Sequence, residues 1–340
     1  MREKIKNRTL NLLKKNDLTL NLVDVGSRNG ILHLSDYAQF TKAVGFEPNP
    51  AEYEKLLTGN TDAAAYGIVS PDYKTIKYYP YAISNREGTA KFYVTPGPGA
   101  AGLLEPNMEP LNEIHYHGSR PCRESFGKDV FDNFKVIEVE TKTLNTVCEK
   151  EQIEHIDLLK IDVEGAEYEV LEGARSILPL TGVIFVETCL IPFRKNQKLF
   201  SHVDLLLRDF NFDLLHYQIV QEQIGYKVLK GPAHYIPPFY YDPHGQPLSC
   251  DAVYINRTVE DHDRILCQAL ILLANMLIDE GLYLLEKKLE MSHDPDVRKL
   301  RRVNDYFSPG QLFRHNSYRA IDKTAVLIGK IIKKIKEMIK

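Results

Sequence analysis

The feature that most constrains the fold of this chain is a short apolar run that ends in two acidic side chains and a glycine, at residues 159–167. A helix-like pattern of apolar residues follows, at Val170, Leu171 and Ala174. A strand, an acidic turn and a helix in this order are typical of parallel α/β sheets, in which ligands bind beyond the carboxyl ends of the strands. We therefore expect Asp162 either to act on a ligand or to cap the following helix.

A second turn of the same kind lies in the segment Asn21-Leu22-Val23-Asp24-Val25-Gly26-Ser27-Arg28-Asn29-Gly30. We expect the backbone to turn tightly at Gly26, a helix to pack closely at Gly30, and that helix to begin near Ile31. Arg28 stands where the dinucleotide-binding pattern G-x-G-x-x-G has its second glycine. Because a pyrophosphate needs close approach of the backbone at that point, Arg28 argues against bound NAD.

A third motif ends a short predicted strand at Glu47, roughly twenty residues beyond Asp24. At this distance the second strand of a nucleotide-binding unit places an acid on the ribose hydroxyls. The alternative is an exposed loop acid before a helix that Pro50 starts. A glycine turn and a ribose acid without a diphosphate loop suit S-adenosylmethionine, which carries no phosphate.

The motif set extends along much of the chain. Its segments are Asp24-Val25-Gly26, Gly30, Phe46-Glu47-Pro48, Ala82-Ile83-Ser84 before Gly88, Lys160-Ile161-Asp162-Val163-Glu164-Gly165, Val170-Leu171-Glu172-Gly173-Ala174 and Val183-Ile184-Phe185-Val186-Glu187. Together they resemble the FkbM family of S-adenosylmethionine-dependent methyltransferases, over about residues 21–215. The family usually has Asn where Arg28 stands, and commonly Leu-Asp-Asp where Leu144-Asn145-Thr146 stands.

The resemblance implies an α/β fold with a Rossmann-like class I methyltransferase sheet, mostly parallel with an antiparallel closing strand. It also implies an S-adenosyl-L-methionine-dependent O-methyltransferase that acts on a sugar hydroxyl of a glycan or natural product by in-line methyl transfer. The residues leave two alternatives open. One is an NAD-binding oxidoreductase, and the other is a non-catalytic member of the fold that binds the cofactor or a partner.

We expect Glu47 to bind the ribose, Asp24 and its turn to surround the methionine moiety, and, by resemblance, residues 82–84 to lie near the adenine. The predicted cofactor-binding residues are Asp24, Gly26, Ser27, Asn29, Glu47, Pro48, Ala82, Ile83, Ser84 and Asp162. The predicted catalytic residues are Asp162, Glu187 and His33, because a hydroxyl acceptor must lose its proton near the transfer. Asp162 is expected to accept that proton, to orient the acceptor or to hold the ammonium group of the cofactor.

No metal site is predicted. His115 and His117 form a pair without a nearby acidic or cysteine ligand. Asp162 and Glu164 are oxygen ligands of the kind that magnesium prefers, but nothing in their spacing requires the ion.

The chain is predicted to form an N-terminal helix at residues 1–20, a methyltransferase domain at 21–257 and a helical C-terminal extension at 258–340. Inside the domain, the Pro- and Gly-rich stretch 95–129 is expected to be a lid that faces the substrate, and the loop 235–244 to contact it as well. The predicted strands are residues 22–25, 43–46, 63–68, 77–82, 91–94, 158–162, 183–187, 213–220 and 253–256. The strands on either side of the turn 84–88 are expected to pair as a hairpin.

The net charge and the cysteines limit which partners and which cellular compartment we expect. The formal net charge is −3, which gives no general attraction to nucleic acid. Five widely spaced cysteines without a C-x-x-C pair fit reduced thiols in a cytoplasm. The tail 325–340 has an isoleucine-rich face and a lysine face, and therefore either packs on protein or lies at a membrane surface. We expect a cytoplasmic protein, peripheral to the inner face of the membrane in the second case, with a small-molecule or glycan acceptor as its partner.

Overall fold

The structure is a computed structural model that describes residues 2–113, 128–223 and 246–307. The chain divides into two compact units. One unit is Asp17–Ile271, and the other joins Met1–Asn16 to Leu272–Lys340. The candidate site lies in the first.

The strands and helices follow one another in an α/β order. The strands are β1 Leu20–Val25, β2 Thr41–Phe46, β3 Thr75–Tyr79, β4 Ala82–Ile83, β5 Gly88–Val94, β6 Lys135–Lys142, β7 Ile156–Ile161, β8 Thr181–Cys189, β9 Phe212–Gln223 and β10 Gln246–Asn256. The helices are α1 Arg2–Lys15, α2 Pro50–Thr58, α3 Met108–Glu113, α4 Lys128–Phe131, α5 Leu144–Glu151, α6 Glu167–Glu172, α7 Phe200–Asp209, α8 His262–Ala274, α9 Ile278–Tyr283 and α10 Pro295–Phe307.

A seven-stranded sheet with the order β3-β2-β1-β7-β8-β10-β9 runs through the Asp17–Ile271 unit. Within this sheet β3, β2, β1, β7 and β8 are parallel, and β10 runs antiparallel to both of its neighbours, β8 and β9. β1 and β7 are buried along nearly their whole length, as expected for central parallel strands that are covered on both faces. The predicted fold class, a mostly parallel α/β sheet with an antiparallel closing strand and C-terminal helices, is confirmed.

Local sequence explains where the helices beside the site begin. Asn49 caps α2, because its side chain accepts a hydrogen bond from the Ala51 backbone N–H at 3.1 Å, and Pro50 fits the first helical position. Thr143 caps α5 in the same way through the Thr146 N–H, at 3.2 Å. α2 therefore starts just after the carboxyl end of β2, and α5 starts directly after β6 of a second, smaller sheet.

The expected hairpin around residues 84–88 is wrong. β4 and β5 do not pair with each other, because β6, a strand that the sequence patterns missed, lies between them in a separate three-stranded sheet. β6 runs parallel to β4 and antiparallel to β5. The predicted strand at residues 77–82 is accordingly divided between β3 of the main sheet and β4 of the small one.

Two further predicted elements are absent from the described residues. The helix expected from Ile31 is replaced by a short 3-10 helix at Ser35–Phe40, because Leu34, inside the expected helix, has a left-handed φ of 58° that an α-helix does not accept. The strand expected at 63–68 is a 3-10 turn at Ala64–Tyr66 that ends at Gly67 with φ 77°. Its alanines favour helix over strand.

The other unit contains α1, α9, α10 and the end of α8. α1 packs on α10, and ion pairs join Arg8 to Asp296 at 3.2 Å and Lys15 to Asp294 at 2.6 Å. The sequence predicts either one long helix over residues 259–291 or a helical pair broken near Gly281. The structure has a pair, α8 and α9, but the break lies elsewhere, since Gly281 is inside α9. The chain turns instead at Met276, whose φ is 64°.

Candidate functional site

The two glycine turns of the sequence meet at the carboxyl edge of the sheet. β1 and β7 are neighbours, and the Asp162 N–H donates to the Val25 carbonyl at 3.0 Å. Gly26 adopts φ 90°, and a Cβ built on it would lie 1.8 Å from the Asp162 carbonyl oxygen. The close approach that the sequence predicts at Gly26 is therefore an approach to the backbone of the second motif.

Lys160 holds the two turns together. Its ammonium group donates to the Gly26 carbonyl at 2.8 Å and lies 3.1 Å from Asp24 and 3.4 Å from Asp162. Burial alone would lower the pKa of Lys160, but the two carboxylates outweigh it and raise the pKa. Burial raises the pKa of Asp24, and the lysine opposes that rise. A charged Lys160 is thus the counter-ion on which the buried Asp24 depends.

A pocket of about 310 Å³ opens above these turns, and we call it the large pocket. It is lined by Val25, Gly26, Arg28, Asn29, Phe46, Glu47, Pro48, Asn49, Tyr81, Ala82, Ile83, Phe92, Pro98, Gly99, Ala101, Leu103, Lys160, Asp162, Val163 and Glu164. One part of the wall is aromatic and aliphatic and another carries carboxylates and a lysine. This pairing suits a ligand with an apolar ring at one end and charged groups at the other.

Glu47 directly follows β2 and lies on the wall of the large pocket, almost fully buried. One carboxylate oxygen accepts the Asn49 N–H at 2.8 Å, which fixes the orientation of the side chain. Burial raises the pKa of Glu47 to about 7, although the bond from Asn49 opposes the shift. Hydroxyl groups that donate to this carboxylate would stabilise its charged form.

The two departures from the family pattern have structural roles. The Arg28 guanidinium lies 3.2 Å from Glu52 and 2.6 Å from Asp62, so its charge is neutralised at the rim of the large pocket. Asn145 accepts hydrogen bonds from the Ser176 and Ile177 backbone N–H groups, at 3.1 and 3.2 Å. Neither side chain blocks the pocket.

Most of the predicted cofactor residues line the large pocket, and three do not. Asp24 is buried beneath the large pocket, where it forms an ion pair with Lys160. Ser27 is buried because its hydroxyl donates to the Asp24 carbonyl at 2.8 Å and accepts from the Phe46 N–H at 3.0 Å. Ser84 is buried, and its N–H continues the small sheet by donating to Lys142. These three side chains support the walls from behind.

The three predicted catalytic residues occupy different places. Asp162 lines the large pocket, with 36% of its side chain exposed. The strand register sets Glu187 beside Asp162 and opposite Asp251, in one acidic row across the carboxyl edge. Burial and then the Asp162 and Glu164 carboxylates raise the pKa of Glu187 to about 9.

His33 is the outlier among these predictions. Its ring packs edge-on against Phe185, with ring centroids 5.9 Å apart, and the residue does not line the large pocket. Burial lowers the pKa of His33, so the ring is neutral at pH 7. Asp24, Lys160 and Asp162 are close enough to the ring to influence that pKa, so His33 lies near the charged centre of the site, and its catalytic role stays a prediction.

Two residues that the motif patterns did not single out have central positions. Lys160 belongs to one of the motifs but is not among the predicted site residues, although it pairs with both Asp24 and Asp162 at the centre of the site. Arg194 is buried, and its guanidinium donates to the Glu164 and Ala100 carbonyls. No signal in the sequence near Arg194 indicated this role, because its partners lie 30 and 94 residues away.

The family model described as the methyltransferase FkbM domain matches residues 24–214, more than half of the chain. The chain belongs to the FkbM methyltransferase family. The matched region of this FkbM protein contains both glycine turns, Glu47, Lys160 and Glu187, an acidic residue near the end of β8. The predicted family is confirmed, and the oxidoreductase alternative loses its support.

Two relatives show how far the similarity extends. The FkbM protein is 28% identical over 207 residues to the methyltransferase sdnD of Sordaria araneosa, which covers 57% of this chain and 73% of sdnD. It is 28% identical over 195 residues to the 2-O-methyltransferase NoeI of Sinorhizobium fredii (strain NBRC 101917 / NGR234), which covers 54% of this chain and 68% of NoeI.

Several expectations concern ions, membranes or unplaced segments. In the described parts of the FkbM protein, no group of three or more His, Cys, Asp or Glu side chains is arranged to hold a metal ion. No helix among the same residues is long and apolar enough to span a bilayer. The His115 and His117 pair, the loop 235–244, the tail 325–340 and the middle of the expected lid, 114–127, lie outside the described residues.

Proposed function

We propose that the protein is an S-adenosylmethionine-dependent O-methyltransferase whose acceptor is a sugar hydroxyl. The observation that carries the proposal is the position of Glu47, a buried carboxylate at the end of the second strand that lines a pocket with no phosphate loop. Arg28, the only cation of the first turn, is committed to Glu52 and Asp62 rather than offered to a phosphate. The name of the relative NoeI supports transfer to oxygen.

The lining of the large pocket fits the parts of this cofactor. Glu47 would hold the ribose hydroxyls, and the apolar wall that includes Ile83, Phe92 and Leu103 would hold the adenine. The carboxylate of Asp162, balanced by Lys160, would face the cationic methionine end. When bound, the cofactor supplies an electrophilic methyl group on a sulfonium, so the protein mainly has to position an acceptor oxygen and remove its proton.

Asp162 is the residue that we assign to the acceptor. Of the three predicted catalytic groups it is the one that lines the large pocket. Lys160 stabilises its carboxylate at 3.4 Å, which keeps it able to accept a hydrogen bond from a hydroxyl. Glu187 stands beside it in the strand register and would take part through the acceptor rather than the cofactor.

The decisive experiment is a calorimetric titration with S-adenosylhomocysteine, run beside NAD, on the wild type, Glu47→Gln and Glu54→Gln. Glu54 is an exposed carboxylate on the neighbouring helix α2 and serves as the matched control. We expect saturable binding of S-adenosylhomocysteine, weakened about tenfold or more by Glu47→Gln and unchanged by Glu54→Gln. Binding of NAD instead would overturn the assignment of the cofactor.

The acceptor is tested by transfer of a radiolabelled methyl group from S-adenosylmethionine to a panel of methyl glycosides. Asp162→Asn should reduce kcat on any accepted glycoside by about 100-fold or more. The same variant separates two roles, because a group that only holds the cofactor would raise the Kd for S-adenosylhomocysteine and leave saturated turnover intact. Labelling of none of the glycosides would remove the sugar acceptor.

A further inference from the structure

A small cavity adjoins the large pocket and shares Glu164 with it, and we call it the side cavity. It is lined by Phe131, Glu164, Glu187, Cys189, Phe193, Arg194 and Ser249. Its volume is about 10 Å³, which is the space that one water molecule or one hydroxyl group occupies. The side cavity therefore has room for a single polar group beyond the end of the large pocket.

Arg194 faces the side cavity with an unused donor. The residue is 2% exposed, and its guanidinium is fixed by bonds from Nε to the Glu164 carbonyl at 3.1 Å and from Nη2 to the Ala100 carbonyl at 2.6 Å. The Phe131 ring lies 4.6 Å below the guanidinium carbon. The remaining nitrogen, Nη1, is buried without a hydrogen-bond partner. A buried donor of a charged group is destabilising when it has no partner.

Ser249 contributes a second unused group. It is 2% exposed, and its hydroxyl is buried without a hydrogen-bond partner on the wall of the side cavity. Two unpartnered polar groups on one cavity of this size are unusual, because buried polar groups in native proteins are nearly always satisfied. Their common position indicates a ligand that completes both.

The charges around the side cavity select a neutral ligand. The Arg194 guanidinium on its wall would repel a cation, and the Glu164 carboxyl group, 3.7 Å from that guanidinium, balances its charge. Burial raises the pKa of Glu187 to about 9, so that its carboxyl is protonated at pH 7. Burial also raises the pKa of the Cys189 thiol, which therefore stays neutral. A hydroxyl group is neutral, fits the space, and both accepts and donates hydrogen bonds.

We propose that the side cavity binds a second hydroxyl group of the acceptor, adjacent to the one that is methylated, so that the acceptor is a vicinal diol. The oxygen of this hydroxyl accepts from Arg194 Nη1, and its hydrogen is donated to Ser249 Oγ. The methylated hydroxyl would lie near Asp162 in the large pocket, whose lining shares Glu164 with the side cavity. This inference rests on the proposed function, and it explains why a sugar ring, with hydroxyls on neighbouring carbons, would be preferred to a lone alcohol.

The test combines a variant that fills the side cavity with acceptors that lack the hydroxyl. Ser249→Val places methyl groups in the side cavity and suits a strand, whereas Ser249→Ala only removes the oxygen. Thr188→Val is the matched control, because Thr188 has another buried and unpartnered hydroxyl but alternates to the opposite face of β8. The acceptors are a methyl glycoside that the wild type methylates and its deoxy analogues at the carbons next to the methylation site.

We expect Ser249→Val to raise KM for the glycoside at least about tenfold with an unchanged Kd for S-adenosylhomocysteine, Ser249→Ala to raise it less, and Thr188→Val not at all. With the wild type, the KM for one deoxy analogue should exceed the KM for the glycoside by a similar factor. Ser249→Val should raise the KM for that analogue little further. If Ser249→Val leaves the KM unchanged while the glycoside is still methylated, the side cavity holds only a structural water and the inference fails alone. If no glycoside is methylated, the sugar acceptor and the inference fall together.

Discussion

The large pocket and the side cavity share one residue, Glu164, and differ in how far the chain itself satisfies their polar groups. In the large pocket, Lys160 contacts three oxygens, and Glu47 is oriented by the Asn49 N–H. In the side cavity, the Arg194 Nη1 and Ser249 Oγ atoms have no partner. The first site is therefore complete before a ligand arrives, and the second is completed by the ligand.

This difference teaches where each site is sensitive to mutation. In a preformed site, substitutions of the residues that orient the ligand-binding groups reduce binding, because those groups depend on their neighbours for their position. A site with unpartnered groups is damaged through its contacts, and its variants should change acceptor kinetics without changing the fold. Substitutions in the large pocket should consequently alter stability and cofactor affinity together.

The substitution expected to have the largest effect is Gly26→Ala. The new Cβ would meet the Asp162 carbonyl oxygen at 1.8 Å, and the φ of 90° is itself unfavourable for alanine. We expect a loss of about 3 kcal/mol or more in urea unfolding, together with loss of S-adenosylhomocysteine binding. Gly59→Ala is the control, because Gly59 has φ 71° with no atom within 4 Å, and should cost only about 1–2 kcal/mol. Equal losses in the two variants would contradict the interlocked turns.

The second test removes the ammonium group of Lys160. Lys160→Met leaves the buried Asp24 without its counter-ion, which should cost about 3–5 kcal/mol in the free energy of unfolding at pH 7. The double variant Lys160→Met/Asp24→Asn removes the orphaned charge as well and should recover at least half of that loss. If the stability losses of Lys160→Met and Asp24→Asn simply add in the double variant, the two side chains are not coupled.

The third test uses the pH dependence of Glu47. Its pKa of about 7 in the folded protein lies above its ordinary value near 4.3 in an unfolded chain, so the folded state binds the extra proton. Stability from this group is present below about pH 4 and is lost as the pH rises to 7 and above. Glu47→Gln cannot ionise and should exceed the wild type by about 1–3 kcal/mol at pH 8, with the two converging at pH 4. Urea unfolding at both pH values measures the difference.

The same residue should show the opposite trend in binding. Ribose hydroxyls donate to the carboxylate, so the affinity of the wild type for S-adenosylhomocysteine should fall as the pH drops below 7. Glu47→Gln should bind weakly at every pH without that slope. A wild-type affinity that is flat between pH 6 and 8 would mean that Glu47 does not contact the ligand.

The smallest effect is expected for Arg28→Asn, which restores the residue that the family usually has. Arg28 shares both of its carboxylates with Lys55, whose ammonium lies 2.8 Å from Glu52 and 2.9 Å from Asp62. Because Lys55 remains, the stability should change by less than about 1 kcal/mol and the affinity for S-adenosylhomocysteine by less than about threefold. A much larger loss of affinity would place Arg28 in direct contact with the cofactor.

The sequence predicted the main sheet and the position of the site because these depend on local patterns. Apolar strands that end in acidic or glycine turns mark the carboxyl edge wherever they occur, and Asp162 and Glu47 were placed at the large pocket from that rule alone. The family resemblance added residues 82 and 83, which also line it.

The remainder of the site depends on pairings that are distant in the chain. β6 reads as an alternating segment of charged and apolar residues without a turn signal that links it to β4 or β5, so its insertion between them was not predictable. Arg194 acts through carbonyls of Glu164 and Ala100, and backbone acceptors leave no mark in sequence. The helix expected at Ile31 is wrong because Leu34 adopts a left-handed φ, which a leucine does not signal in the sequence.

The strand order also determines the order in which the strands of the main sheet can pair during synthesis. β1 lies between β2, which follows it closely, and β7, whose last residue is Ile161. Until β7 has left the ribosome, the nascent chain carries β1 with one open, apolar edge, and edges of this kind associate readily with other chains. The nascent chain is thus exposed to aggregation until β7 emerges, and the pairing of β7 with β1 covers that edge and brings the two glycine turns together in the same event.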